Sequence, residues 1–182
     1  MKTRNALTLI ELIIVLCVMV ALSGILIPIC NNQLSSATET ATRATLTEVQ
    51  RALQDYWRDT KLITLDGMTT FANETDRFKI VWLFKNPVTN DSTSQFNPNS
   101  RSGWNGPYIV AATKTSTSTL ELIDAWNNTL QVQYVNPNDS VKDVRIVSPG
   151  PNGIIDISPS TATSLLTSNG IGDDLYVSLS LR

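Results

Sequence analysis

The feature that most restricts this 182-residue chain is an uncharged apolar run, Leu12–Ile27, that begins directly after a carboxylate. With its flanks the run reaches roughly 20 residues, about the length a helix needs to cross a bilayer. Lys2 and Arg4 precede it, and basic residues on that side favour a cytoplasmic leader and an exported remainder. Glu11 stands at the start of the run. A carboxylate in a membrane helix costs roughly 2.5–3.5 kcal/mol at the centre and less near an end, so Glu11 is expected to have a partner.

Three ordinary readings of this N-terminus are open. A general secretory signal peptide has a short apolar core and a small-x-small cleavage site. Ala21-Leu22-Ser23 could serve, but the apolar run continues through Ile29 and leaves Glu11 out of place. A lipoprotein needs a small residue before its cysteine, whereas Leu16 precedes Cys17 and Ile29 precedes Cys30. A plain single-pass anchor would span equally well and leave Glu11 unexplained.

Ala6-Leu7-Thr8-Leu9-Ile10-Glu11 resembles the processing site of the type IV filament superfamily, the pilins and the pseudopilins of type II secretion. The resemblance implies cleavage by prepilin peptidase between Ala6 and Leu7 and N-methylation of Leu7. It also implies that Glu11 neutralises the amine of a neighbouring subunit. Pro28 falls where that family often has a helix-kinking proline. Ala6 stands where Gly is commoner, and Leu7 where Phe or Met is commoner.

The remainder, residues 31–182, is rich in Ser, Thr, Asn and Asp, and the whole chain has a net charge of −2. There is no basic footprint, so no nucleic-acid partner is expected. Histidine is absent, which removes the commonest general base and metal ligand at neutral pH. With no catalytic triad or phosphate-binding Gly loop either, an enzyme is not expected. Cys17 and Cys30, if helical, sit about 20 Å apart along the axis, too far for an internal disulfide.

The helix is expected to continue past the membrane. Asn31–Arg58 contains no Gly or Pro, and Leu34, Ala37, Ala41, Ala44, Val49, Ala52, Leu53 and Tyr56 fall at three- and four-residue steps, the mark of one helix face. From Leu7 to Arg58 it would measure roughly 75–80 Å, a length suited to a bundle. Phe71, Phe78, Ile80, Trp82, Leu83 and Phe84 are expected in the core, and the polar stretch Lys85–Gly106 reads as a loop. Strands are expected at Tyr108–Ala112, Leu130–Val135, Val144–Val147 and Leu175–Leu181. In the second, Leu130, Val132 and Tyr134 alternate against Gln131 and Gln133. Asn127-Asn128, Pro137-Asn138-Asp139 and Pro149–Gly153 supply turns. One long helix followed by a small antiparallel sheet is an α+β fold.

This half also carries the resemblance. Gly103-Trp104-Asn105-Gly106-Pro107-Tyr108-Ile109, then Asp124-Ala125-Trp126-Asn127-Asn128-Thr129-Leu130, then Val147–Gly153 and Gly172-Asp173-Asp174-Leu175 look, in that order, like segments of the major pseudopilin. In that family the C-terminal loop binds calcium. The resemblance implies Asp173 and Asp174 as ligands, with Asn152 and Asp156 as additions. The stretch Asp156–Gly172 is longer than the compact family loop, and its middle carries no carboxylate. Without a metal, Asp173 and Asp174 would cap a turn before the last strand. Several Asn-x-Ser/Thr triplets match a glycan acceptor pattern common in such compositions.

The expectation is therefore a leader at 1–6, a transmembrane and assembly helix at 7–30, its periplasmic continuation at 31–58, and a globular pseudopilin-like head at 59–182. The resemblance implies a filament subunit of the bacterial inner membrane with a periplasmic head. Its partners would be copies of itself, other pseudopilins, prepilin peptidase, the inner-membrane secretion platform and membrane lipid. Two rivals stand beside it: a subunit of a surface type IV pilus, and a single-pass anchored binding domain that does not assemble.

Overall fold

The computed structural model describes residues 8–60, 80–86, 95–110, 113–116, 119–135 and 143–179, with side-chain burial for all but 25–32, 113–116 and 119. Helix α1 runs Leu9–Thr60 and passes through Pro28, whose missing N–H removes one i→i−4 bond. Two compact units follow from the contacts, residues 1–38 and residues 39–182.

The first unit is the leading part of α1. Its polar hydroxyls are satisfied along the helix itself: Ser23 Oγ donates to Met19 O (2.8 Å) and Thr38 Oγ1 to Ser35 O (2.9 Å). Such back-bonding lets hydroxyls sit in a helix without an outside partner.

The second unit is α+β. Leu46, Val49, Leu53 and Tyr56 are buried on one face of α1 with Ala52 beside them. Their spacing of three and four residues places them in one stripe. That stripe packs against Leu83, Ile109, Leu122, Leu130, Val144, Ile146, Leu175 and Leu179. Burying each large side chain contributes about 1.5–3 kcal/mol. The sheet beneath has the order β3-β4-β5, antiparallel throughout, from β3 (Gln131–Tyr134), β4 (Val144–Ser148) and β5 (Leu175–Leu179). Every residue of the central strand is buried. A separate hairpin pairs β1 (Thr113–Ser116) with β2 (Thr119–Leu122).

Several expectations are met. Val49, Ala52, Leu53 and Tyr56 face the core, and Ile80, Trp82, Leu83 and Phe84 contribute to it, the first three from a 3-10 turn, Ile80–Leu83. Three of the four expected strands form within a residue or two of their expected ends. Phe71, Phe78, Ala111, Ala112 and Leu181 lie outside the described residues. Others are corrected. Tyr108–Val110 form no strand: Tyr108 N–H donates to Leu83 O (2.8 Å), its ring enters the core, and Val110 is exposed. Gln133 lies on the face away from the core, as its alternation with Val132 and Tyr134 predicts, yet it is buried because the C-terminal loop covers that face, with Gln133 Nε2 donating to Ile157 O (2.9 Å) beside Arg145. Within the expected loop, Gln95 bridges Trp104 and Asn97 bridges Ser102. The hairpin β1–β2 was not anticipated, because its Thr- and Ser-rich sequence lacks the apolar alternation that marks a half-buried strand.

Candidate functional site

Two sets of residues carry the functional expectations, one in each unit. At the start of α1, Glu11 Oε2 accepts hydrogen bonds from Thr8 N–H (3.0 Å) and Thr8 Oγ1–H (2.9 Å). In return Glu11 N–H donates to Thr8 Oγ1 (3.4 Å). This reciprocal pair is a capping box, in which Thr at the cap and Glu three residues on satisfy each other's backbone donors. The pair went unread in the sequence although its signature, Thr-x-x-Glu ahead of an apolar run, stands there in full. Ala6 and Leu7 lie outside the described residues, as does the side chain of Pro28.

Beyond the cap, the large apolar side chains from Leu9 to Leu22 are between 49 % and 77 % exposed. They point in every direction around the helix, since the run carries no polar face. A helix that is apolar all round belongs in a protein core or a membrane. Among the described residues no helix is long and apolar enough to cross a membrane, and the described side chains of this run end at Gly24.

The second set lies on the sheet side of the other unit. Asp124, buried, accepts from Trp126 N–H (2.9 Å) and Asn128 N–H (2.8 Å) through Oδ1, and from Ser148 Oγ–H (2.6 Å) through Oδ2. Asn128 Nδ2 donates to Gly150 O (2.7 Å). The segment Asp124–Asn128 is thereby bonded to the segment Ser148–Gly150 that begins the C-terminal loop. Gly150 has φ of 62°, and a Cβ there would stand 2.2 Å from Asp173 O. Only glycine fits both the left-handed backbone and that approach.

The four expected ligands fall beside this point in two hydrogen-bonded pairs, Asn152 with Asp173 and Asp156 with Asp174. Asn152 donates from its backbone N–H (3.0 Å) and from Nδ2 to the Asp173 carboxylate. Asp174 Oδ2 accepts from Asp156 N–H and Ile157 N–H, both at 2.8 Å. Asp156 packs its carboxylate against Gly172, where a Cβ would meet Oδ2 at 2.0 Å. Asp174 is buried, and its Oδ1 has no hydrogen-bond partner among the described residues. Burial above all, with the charges of Asp156 and Asp173 adding, pushes the Asp174 carboxyl above the usual carboxylate range against its two backbone hydrogen bonds. An unpaired buried oxygen between like charges is what a hard cation relieves. Asp173, however, already receives Asn152, and among the described residues no three carboxylates converge as a metal-ligand group. Among the described residues the loop tip is a hydrogen-bonded clasp with one buried acceptor, Asp174 Oδ1, unpartnered.

The Gly103–Ile109 segment holds the end of α1. Gly103 N–H donates to Asp59 O (2.7 Å), Tyr108 O–H to Asp59 Oδ2 (3.2 Å), and Trp104 Nε1–H to Trp82 O (2.8 Å). Tyr108 meets Tyr56 and Trp104 edge-on, at centroid distances of 5.7 Å and 5.9 Å.

Compared with protein-family models, with curated proteins and with solved structures, the chain matches none.

Proposed function

We propose that this chain is a structural subunit of a type II secretion pseudopilus, anchored in the bacterial inner membrane and assembled into a periplasmic filament. The supporting observation is the uncovered apolar surface of Leu9–Leu22 with one carboxylate held at its start by Thr8. A surface of that kind is relieved either by lipid or by copies of the same helix. Glu11, desolvated there, takes the freed amine of a neighbouring Leu7 as counter-charge. The chain does no chemistry itself. Prepilin peptidase removes Met1–Ala6 and Leu7 becomes methylated. The apolar side chains from Leu9 to Ile27 supply packing, and other pseudopilins and the secretion platform are its partners. Intact-mass analysis should give a mature chain that begins at methyl-Leu7; a retained leader would count against the reading.

In the same proposal the loop tip holds calcium, with Asp174 and Asp156 as the carboxylates that would ligate it and Asp173 and Asn152 beside them. The unpartnered Oδ1 of Asp174 supports this. Calcium, if bound there, would offset the repulsion between the carboxylates. Melting of the chain should rise with calcium and fall back with chelator; equal melting in both would remove calcium from the account.

One observation favours a second reading, a single-pass anchor that does not assemble. Glu11 already has partners in its own helix, so a neighbouring amine is not needed to satisfy it. Crosslinking in the native membrane separates the two, because a non-assembling anchor gives no ladder of multimers.

A further inference from the structure

The long C-terminal loop has a second anchorage, away from its acidic tip. Arg145 occupies β4, the central strand, and is fully buried. Its Nε donates to Gln133 Oε1 (2.8 Å), one terminal nitrogen to Thr161 O (2.8 Å) and Thr163 Oγ1 (3.2 Å), and the other to Ser158 O (2.7 Å). Gln133 is buried on β3 and turns its amide toward the same loop, where Nε2 donates to Ile157 O (2.9 Å). Asp143 closes the set by accepting from Thr163 N–H (2.8 Å) and Thr163 Oγ1–H.

Among the described residues no carboxylate lies within ion-pair distance of Arg145. Its charge is met by carbonyl dipoles and by the field of Asp143. A buried guanidinium is costly unless its donors are satisfied, and here one loop supplies most of the acceptors. Hydrogen bonds to a charged donor are among the stronger ones in proteins. The acceptors lie in Ile157–Thr163, inside the stretch that carries no carboxylate and could not itself ligate a cation.

We propose that Arg145, oriented by Gln133, is the positioning group that docks segment 157–163 on the sheet whether or not a cation sits at the Asn152–Asp174 tip. This rests on the reading of that tip as a calcium site and limits what calcium can control: the tip responds and the body of the loop does not. Lysine cannot replace the arginine, because one ammonium on a flexible stem cannot reach acceptors arranged for a planar fork.

Hydrogen exchange on the detergent-solubilised full chain, read by mass spectrometry with calcium or with chelator, tests this. In the wild-type chain, protection of 157–166 should be the same in both conditions. In Arg145→Lys it should fall by about tenfold or more, while β5 keeps its protection and reports an intact sheet. Gln133→Leu should show a smaller loss in the same segment, and it decides the matter if Arg145→Lys does not fold. Release of 157–166 by chelator alone in the wild type would overturn the proposal. So would unchanged protection in Arg145→Lys or, where that variant does not fold, in Gln133→Leu. A wild-type chain in which neither end of the loop responds to calcium counts against the calcium reading and still supports the arginine anchorage.

Discussion

Two stretches of α1 are both rich in apolar residues and differ in what they ask for. Between Leu46 and Tyr56 the apolar side chains form one stripe, and each is buried by the sheet and loops of the same unit. Between Leu9 and Leu22 they surround the helix, and each is exposed. The first pattern is completed within the chain. The second is not covered among the described residues, since no single neighbouring layer can cover a helix on all sides. Hydrophobicity alone therefore says little about packing; its angular distribution separates a helix that one layer covers from one that needs apolar surroundings on all sides.

The largest expected effect tests that contrast directly. Leu53→Ala should destabilise the head by about 2–5 kcal/mol, read by denaturant unfolding, since it opens a cavity in a fully packed site. Leu16→Ala should leave head unfolding unchanged and weaken crosslinking between subunits. Equal effects of both on head stability would erase the distinction.

Tyr108 sharpens the covered side. Tyr108→Phe leaves Asp59 and the Asn105 N–H without the hydroxyl, at a cost of about 1–2 kcal/mol. Burial raises the Tyr108 phenol above its ordinary value of 10.0. The folded state thus favours the neutral ring, and this contribution is whole below the unfolded pKa and lost as pH rises above it. Wild-type head stability should decline above about pH 10, and the part of that decline due to Tyr108 should vanish in Tyr108→Phe.

At the loop tip the sign reverses with the metal. Asp174→Asn removes a buried charge repelled by Asp156 and Asp173 while an amide oxygen can still accept the two backbone N–H bonds, so the metal-free head should melt no lower than wild type. The same variant should lose its calcium response, read as the difference in melting with and without chelator. Smallest is the cap: Thr8→Ala should cost the N-terminal turn of α1 about 0.5–1 kcal/mol, seen as faster amide exchange over the first turn with no change in the head.

Much of the fold was legible because its signals are local. The stripe through Val49, Leu53 and Tyr56 and the alternation in Leu175–Leu179 are periodicities, and turns at Asn127 and Gly150 are marked by residues that accept positive φ. What escaped is decided by contacts distant in sequence. Gln133 keeps the alternation of its own strand, but the face it shares with its cross-strand partner Arg145 is covered by the loop at 157–163, so an outward position is buried. Tyr108 leaves the expected strand because its hydroxyl and ring have partners on α1. The order of motifs marks Asn152, Asp156, Asp173 and Asp174 as one turn region, while the unpartnered oxygen of Asp174 is visible only in three dimensions. Thr8 differs in kind: its bond to Glu11 is local and its Thr-x-x-Glu pattern stands in the sequence.

In the proposed filament the exposed apolar helix is covered by copies of itself, with Glu11 answering a neighbour's amine. Cysteine crosslinking in native membranes, comparing wild type with Glu11→Gln, tests it most directly. The account expects a ladder of multimers in the wild type and its loss in Glu11→Gln, with the head still folded in both. A ladder of equal extent in Glu11→Gln would contradict it.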